Sequence, residues 1–473
     1  MLQRNGTPPI GLYWRSSVWF TTIVVGVGIA TDLLIYTIVI PVLPFQLQEL
    51  GYSGVSGLVG WLLFAYSGGL VLFTVPIAMV SERYGARRWP LLIGQLILVG
   101  SQIMMMEAPN YWVMCLARVI QGIASSIVYV LGLALLCDCT PPSVVGRQLG
   151  FAMMGLSAGS ILGPPVGGAL YQRFGFRGPF VFGMGCCVVD LIGRVVIIER
   201  KEALRWGVDP AAEVLSELGN VEAGRDEDKV PPPRSSGSEV AAHAASTASL
   251  GQPRRFTAMQ VLGKLGHSPR AIVAVAVTFL WGISYSAQES AMPLHLEDVW
   301  GLNSSQVGLI YLAGVIPTLI SSPIAGWFTD RNGAEWAVSF MLLLEFPWWA
   351  VLTIESHLAI FIVAFCFESF FISGVTAPLT AELATVSRDL EGVGYAHVYG
   401  AFNLAYGTGS ALMYDHVRKG WLGVCMLALG ISVISLMVTS CFTGERPLGV
   451  RLVRALRARR QEKEPEANEM AAA

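Results

Sequence analysis

The sequence predicts an all-α membrane protein with twelve transmembrane helices, arranged as two six-helix bundles around a central cavity. Three observations carry that prediction. Of the 473 residues, 53% are hydrophobic and only 14% charged, and the mean hydropathy is +0.57; a soluble chain carries about 25% charged residues. Twelve apolar stretches reach roughly the 20 residues a helix needs to cross a bilayer. The chain also repeats itself: "PFQLQELGYSGVSGLVGWLLFAYSGGLVLFTVPIAMVSERYG" (44–85) aligns with "PLHLEDVWGLNSSQVGLIYLAGVIPTLISSPIAGWFTDRNG" (293–333) with one single-residue gap. Such a repeat marks a transporter whose halves rock about a central site.

Residues 1–17 are short and polar, and the apolar run after them is too long for a signal peptide's apolar region, so an uncleaved first span is expected. The first bundle covers 18–198, with spans at 18–41, 55–80, 90–107, 111–137, 146–171 and 178–198. Residues 199–270 form a central loop whose Pro, Ser, Ala and charge ("RDEDKVPPPRSSGSEVAAHAASTASLGQPRR") cannot bury a core, so most of it is expected to be disordered. The second bundle covers 271–441, with spans at 271–294, 304–326, 337–354, 358–385, 393–414 and 421–441. The tail, 442–473, is basic and reads either as an amphipathic helix on the anionic leaflet or as a solvated charge run.

Lys and Arg concentrate in cytoplasmic loops. With both termini cytoplasmic, 25 of the 31 fall on that side, four outside (Arg173, Arg177, Arg418, Lys419) and two within spans (Arg118, Arg194). Asn303 opens an outward sequon too close to a span to be used. The eight cysteines sit in or beside apolar segments and are expected as free thiols. A net charge of −2, with no basic cluster outside loops and tail, speaks against a nucleic-acid partner. The six histidines form no HExxH spacing, and neither GxSxG nor GxxxxGK[ST] occurs. An enzyme is therefore not expected, nor a cofactor or metal; the partners implied are a small organic substrate, protons and the bilayer, for a monomer.

Four features carry chemistry. In "IATDLLIYTIVIPVLPFQL" Asp32 lies mid-span, where a charge costs about 2.5–3.5 kcal/mol. A chain tolerates this where the carboxylate lines a wet cavity or does work. In "LARVIQGIASSIVYV", Arg118, Gln121, Gly122, Ser125 and Tyr129 make one polar stripe; Arg118 must face the interior and find an acceptor, such as Asp32 or backbone carbonyls. In "GLSAGSILGPPVGG", Gly155, Gly159, Gly163 and Gly167 leave one helix face bare for close packing, and Pro164 and Pro165 bend the helix. The repeat ends in "SERYGARR" and "GWFTDRNG". There Glu82, Arg83 and Gly85 answer to Asp330, Arg331 and Gly333, an acidic-basic pair fit to latch one conformation, or a solvated basic loop.

These stretches resemble the major facilitator superfamily. "GWFTDRNG" matches its GxxxDRxG loop through Gly326, Asp330, Arg331 and Gly333, while "SERYGARR" is a degenerate copy. The fifth span matches GxxxGxxxGPxxGG. The drug:proton antiporter branch is similar along nearly the whole chain. "DLLIYTIVIPVLP", "LGPPVGGALYQRFGFRGPF" and "QESAMPLHL" look like vesicular monoamine transporters, and the overall style looks like fungal drug and metabolite exporters. The resemblance implies the major facilitator fold. It also implies proton coupling through Asp32 and Glu289, with Arg118 modulating them. Two departures stand out: Ser67 and Tyr399 replace that group's second-span Lys and eleventh-span Asp, and its tenth-span acid is missing near Ser373, though Glu368 lies one and a half turns earlier.

Trp281, Tyr285, Gln288, Glu289 and Met292 share one face of the seventh span, and Tyr395, Tyr399, Asn403 and Tyr406 one face of the eleventh. Such stripes line a cavity for an amphipathic molecule or serve as helix-packing glue. The substrate-binding candidates are Asp32, Tyr36, Gln121, Tyr285, Gln288, Glu289, Glu368, Tyr399 and Asn403. Asp190 and Arg194 read as an intrahelical ion pair, Glu345 and Glu107 as reaching headgroups, and Glu382 as loop-facing; His295 and His397 titrate near neutral pH in ordinary surroundings. The expected activity is proton-driven export of drugs, amines or metabolites, at the plasma membrane or at a vacuolar or vesicular one. The rivals are a proton-independent facilitator and a non-transporting sensor on a transporter fold.

Overall fold

The computed structural model describes residues 8–53, 55–85, 87–212, 214, 216, 258–302, 304–413, 420–444, 447 and 449, without the side chains of 44, 55–57, 258, 289, 290, 293, 294, 304, 305 and 410–413. Asn303, most of the central loop, Arg418, Lys419 and the basic tail lie outside the described residues.

Twelve helices run near the predicted spans: α1 Val18–Ile38, α2 Val55–Tyr84, α3 Arg88–Met106, α4 Tyr111–Cys139, α5 Val145–Phe174, α6 Arg177–Val196, α7 Pro269–Trp300, α8 Ser304–Asn332, α9 Ala334–Val351, α10 Leu358–Asp389, α11 Tyr395–Met413 and α12 Gly420–Phe442. Among the described residues, ten of these are long and apolar enough to cross a membrane. The exceptions are α9, which carries Glu335 and Glu345, and α11, whose tyrosines, glycines and Asn403 dilute its apolar character. No strand occurs among the described residues.

Local chemistry sets several ends. The helix α1 stops at Ile38, three residues before Pro41, and Pro44 sits in the first turn of a short helix, Leu43–Glu49; proline disfavours a helical residue before it and suits a helix start. Asn110 caps α4 by accepting from the Val113 N–H at 3.1 Å. Gly85 and Gly333 close α2 and α8 with φ of 58° and 90°, backbone angles that other residues reach only at a cost.

Packing shows how the bundles meet. In the half of the molecule that holds the ends of α2 and α8, hereafter the motif end, one core draws on both bundles, from Leu131, Leu135 and Met153 to Val338, Leu383 and Tyr399. In the opposite half the cores are separate, one around Leu62, Leu98 and Phe180 of the first bundle and one around Trp349, Phe361 and Trp421 of the second. The pairs α5–α8 and α2–α11 make the main inter-bundle contacts.

The bare face of α5 lies directly on α1. A Cβ at Gly155, Gly159 or Gly167 would meet the backbone of Gly26, Ala30 or Ile38, and one at Gly163 would overlap the Thr37 hydroxyl. The helix runs unbroken through Pro164 and Pro165. Gly163→Val should therefore lower stability by about 1–3 kcal/mol, read as an earlier thermal transition. Gly168→Ala, whose Cβ meets open space, is the control and should leave the transition in place or raise it.

Candidate functional site

Asp32 is 0% exposed and faces the interior of the first bundle. Ser125 of α4 stands 2.6 and 2.5 Å from its two carboxylate oxygens, and the Tyr66 hydroxyl of α2 lies 2.7 Å from the Ser125 Oγ. Ser125 has one proton, and Asp32 accepts it, so Tyr66 donates to Ser125. The result is a directed chain, Tyr66 to Ser125 to Asp32. The expected wet carboxylate is thus shielded, at the end of a chain of two hydroxyls that are themselves buried. Tyr66 packs on Tyr36 with ring centroids 4.5 Å apart, and the Arg118 guanidinium sits 5.8 Å from the Tyr36 ring, within cation–π range.

Arg118 donates to Gln121 Oε1 at 2.9 Å and makes no ion pair with Asp32; Gln121, one turn along the same helix, is the nearer acceptor. The charge pair beside Asp32 comes instead from α6. Arg194 donates to Asp190 at 2.8 Å, as the i,i+4 spacing predicts, and the pair occupies the space left by the missing side chain of Gly28, one turn before Asp32.

Tyr129 links this cluster to the second bundle, standing within electrostatic reach of Asp32 and Tyr66 on one side and of Tyr285 and Tyr406 on the other. Trp281 packs on Tyr406 at 4.7 Å and Tyr285 at 6.2 Å. The acid, the cation and the rings of Tyr36 and Tyr66 thus lie together within the first bundle, and Tyr129 connects them to the aromatic residues of the second. Glu289 lies on α7 beside this group, its side chain outside the described residues.

Other candidates stand elsewhere. Tyr399 is fully buried against α4, its hydroxyl 2.9 Å from the Cys137 sulfur and 3.2 Å from the Thr380 carbonyl it donates to. Asn403 donates to Thr74 at 3.0 Å across the bundle divide. Both belong to the closed interface, because the eleventh helix turns that face to α2 and α4. Glu368 accepts from Gln288 of α7 and from its neighbour Ser369, each at 3.1 Å. Glu345 is buried rather than near headgroups, because its site in α9 faces α10 and α12. Glu382 is buried rather than loop-facing, paired with Arg270 at 2.6 Å. His295 stacks on Trp421 with centroids 5.0 Å apart, and the ring Nδ1 of His397 accepts from the Gly394 N–H at 3.1 Å. All eight cysteines are free.

At the motif end, the two repeats perform one task twice. Asp330 accepts from the N–H groups of Gly146 and Arg147, both at 2.7 Å, capping the start of α5. Glu82 accepts from the Ala396 N–H at 2.8 Å, capping the start of α11. Each carboxylate reaches the other bundle and meets a helix N-terminus, where negative charge is favoured. The adjacent arginines are not their partners: Arg83 and Arg331 are exposed, and Arg331 lies 4.2 Å over the Trp327 ring, since neighbouring residues on a helix point to different sides. Arg87 takes the basic role, donating to Glu82 at 2.6 Å, to Ser81 at 2.6 Å and to Asp138 at 3.0 Å. Burial works against its charge, and Asp138 and Glu82 outweigh burial, holding the guanidinium protonated above its ordinary value.

Comparisons with known proteins agree with this architecture. The model of the Major Facilitator Superfamily matches residues 18–298 and 274–468. An "MFS-type transporter ppzB" of Metarhizium rileyi is 24% identical over 94% of this chain and 99% of its own length. A "Probable vesicular acetylcholine transporter-B" of Danio rerio is 31% identical over 37% of each chain. Among solved structures, the human organic anion transporter MFSD10 superposes with a TM-score of 0.65 at 16% identity, covering 92% of this chain and all of that one.

Proposed function

The chain belongs to the Major Facilitator Superfamily, and on that premise we propose that it is a proton-coupled antiporter exporting small organic molecules by alternating access. The observation that carries the proposal is the Tyr66–Ser125–Asp32 chain. A row of hydroxyls passes a proton by successive hops without any link holding charge for long. It ends on a carboxylate beside the aromatic groups where the bundles meet. A cationic or amphipathic substrate lodged among Tyr129, Trp281, Tyr285 and Tyr406 competes with the proton for that carboxylate, which is the condition for exchange.

The motif end is the cytoplasmic end, as the Lys/Arg bias predicts, with both termini on that side. The shared core and the two capping carboxylates then close the cytoplasmic face. Separate cores on the far side belong to an outward-facing state. Asp32, Glu289 and Arg118 carry coupling, and the plasma membrane is the expected site; an acidic organelle would serve equally, its lumen being equivalent to the exterior.

Inside-out vesicles bearing the chain test this reading. An imposed proton gradient, interior acidic, should drive uptake of an amine, drug or polyketide-like substrate against its gradient, and a proton ionophore should stop it. Uptake indifferent to the ionophore identifies a facilitator instead.

A further inference from the structure

Away from Asp32, the second bundle buries two more acids in each other's neighbourhood. Glu345 of α9 and Glu368 of α10 are each 1% exposed, and their carboxyls lie close enough to feel one another's charge. Their partners are neutral. Glu368 receives hydrogen bonds from Gln288 and Ser369, and Glu345 from the Trp349 indole N–H, with Ser432 of α12 beside it. The second oxygen of Glu345 has no hydrogen-bond partner although it is buried. From α12, Cys425 lies within electrostatic reach of Glu368, and from α8 the Tyr311 ring packs on Phe365, three residues before Glu368 on α10. The helix α8 meets α10 through Ala313, Gly314, Ser321 and Ser322, none of them charged.

Two ionised carboxylates buried in one apolar site, served by neutral donors among the described residues, carry a desolvation cost that those donors do not offset. Like charges at one site cannot both persist, and such a pair titrates as a unit. A proton on the orphan Glu345 oxygen resolves both difficulties, since it removes one charge and converts a bare acceptor into a donor. We propose that Glu345 and Glu368 together hold one exchangeable proton, a second protonation site in the opposite bundle from Asp32. Gln288 ties the pair to α7, one residue from Glu289, so a shift of α7 against α10 makes or breaks a donor to Glu368 and changes the pair's hold on the proton. The use of this proton in the cycle rests on the antiport reading; its presence does not.

Two measurements separate those statements. Infrared titration of the purified full-length protein follows the carbonyl band of protonated carboxyls. The band should survive in Asp32→Asn and lose one carboxyl in Glu345→Gln, with Glu368→Gln as the second variant should the first misfold. A band unchanged in whichever of them folds overturns the proposed site. In reconstituted vesicles, protons moved per substrate should fall by one in Glu345→Gln. A lost band with unchanged stoichiometry keeps the proton site and overturns its part in transport. Loss of proton-driven flux in the unmodified protein instead overturns the antiport reading and leaves the infrared result standing.

Discussion

In Asp32→Asn, substrate equilibrates across the membrane and no longer accumulates, while the protein folds and reaches the membrane as before. Asparagine copies the shape of the protonated acid, and its carbonyl oxygen still accepts the Ser125 hydroxyl that serves Asp32 at 2.6 Å. It also removes a carboxylate from hydrocarbon, where the charge is costly, so no folding penalty arises at this position. What disappears is the group that gains and loses the proton. Each pH unit across the membrane is worth about 1.4 kcal/mol, a factor of ten in gradient, per proton coupled; substrate competes with a proton only at Asp32, so without it neither this proton nor one held elsewhere is exchanged for substrate, and the accumulation ratio falls to about one. Counterflow exchange of labelled for unlabelled substrate should persist, because it asks only that the loaded carrier rock. Ser125→Ala tests the relay separately. Loss of a hydrogen bond to a charged group, about 1.5–3 kcal/mol, should slow proton-driven uptake by tenfold or more. Undiminished gradients in Asp32→Asn at equal protein level would remove Asp32 from coupling.

The architecture was legible because its causes are local. Apolar length, repeat spacing and the glycine ladder of α5 each act within one helix, and the described helices lie close to the predicted spans. Asp32 was legible for the same reason, a charge in an apolar run being anomalous wherever it points. Partners were not. Tyr66 sits in an ordinary apolar span, and only the fold brings its hydroxyl to Ser125. Arg87 and Asp138 are 51 residues apart, and nothing in "SERYGARR" indicates that Arg87 rather than Arg83 reaches Glu82. Glu345 looked like a residue near a span end; its burial depends on how α9 faces α10 and α12. The role of Gly28 follows from a side chain on α6. Sequence periodicity assigns a residue to a face, but what stands opposite that face is decided by helix packing.

Breaking both capping carboxylates should open the motif end. Glu82 and Asp330 each cross between bundles to cap a helix, with N–H contacts of 2.7–2.8 Å, and such caps contribute about 0.5–2 kcal/mol each. They exist only while α5 meets α8 and α2 meets α11, so their whole worth falls on one side of the conformational balance. Glu82→Ala with Asp330→Ala should shift that balance by about 1–4 kcal/mol, roughly a factor of 5 to 1,000 toward the state open at the motif end. Arg87 amplifies the effect at one latch, since losing Glu82 leaves its guanidinium with Asp138 and Ser81 alone among the partners named above. The chain carries its own reporter: Cys137 is buried at this interface against the Tyr399 hydroxyl and becomes reachable only when the bundles part there. In protein whose other seven cysteines are replaced by serine or alanine, a hydrophilic maleimide should label Cys137 at least fivefold faster in the double variant. Each single variant should fall between, because the two latches lie on different helix pairs and their contributions add. Equal labelling rates in all four proteins would mean that the shared apolar core alone holds this end shut, and that the repeated acidic loops play no part in the balance between states.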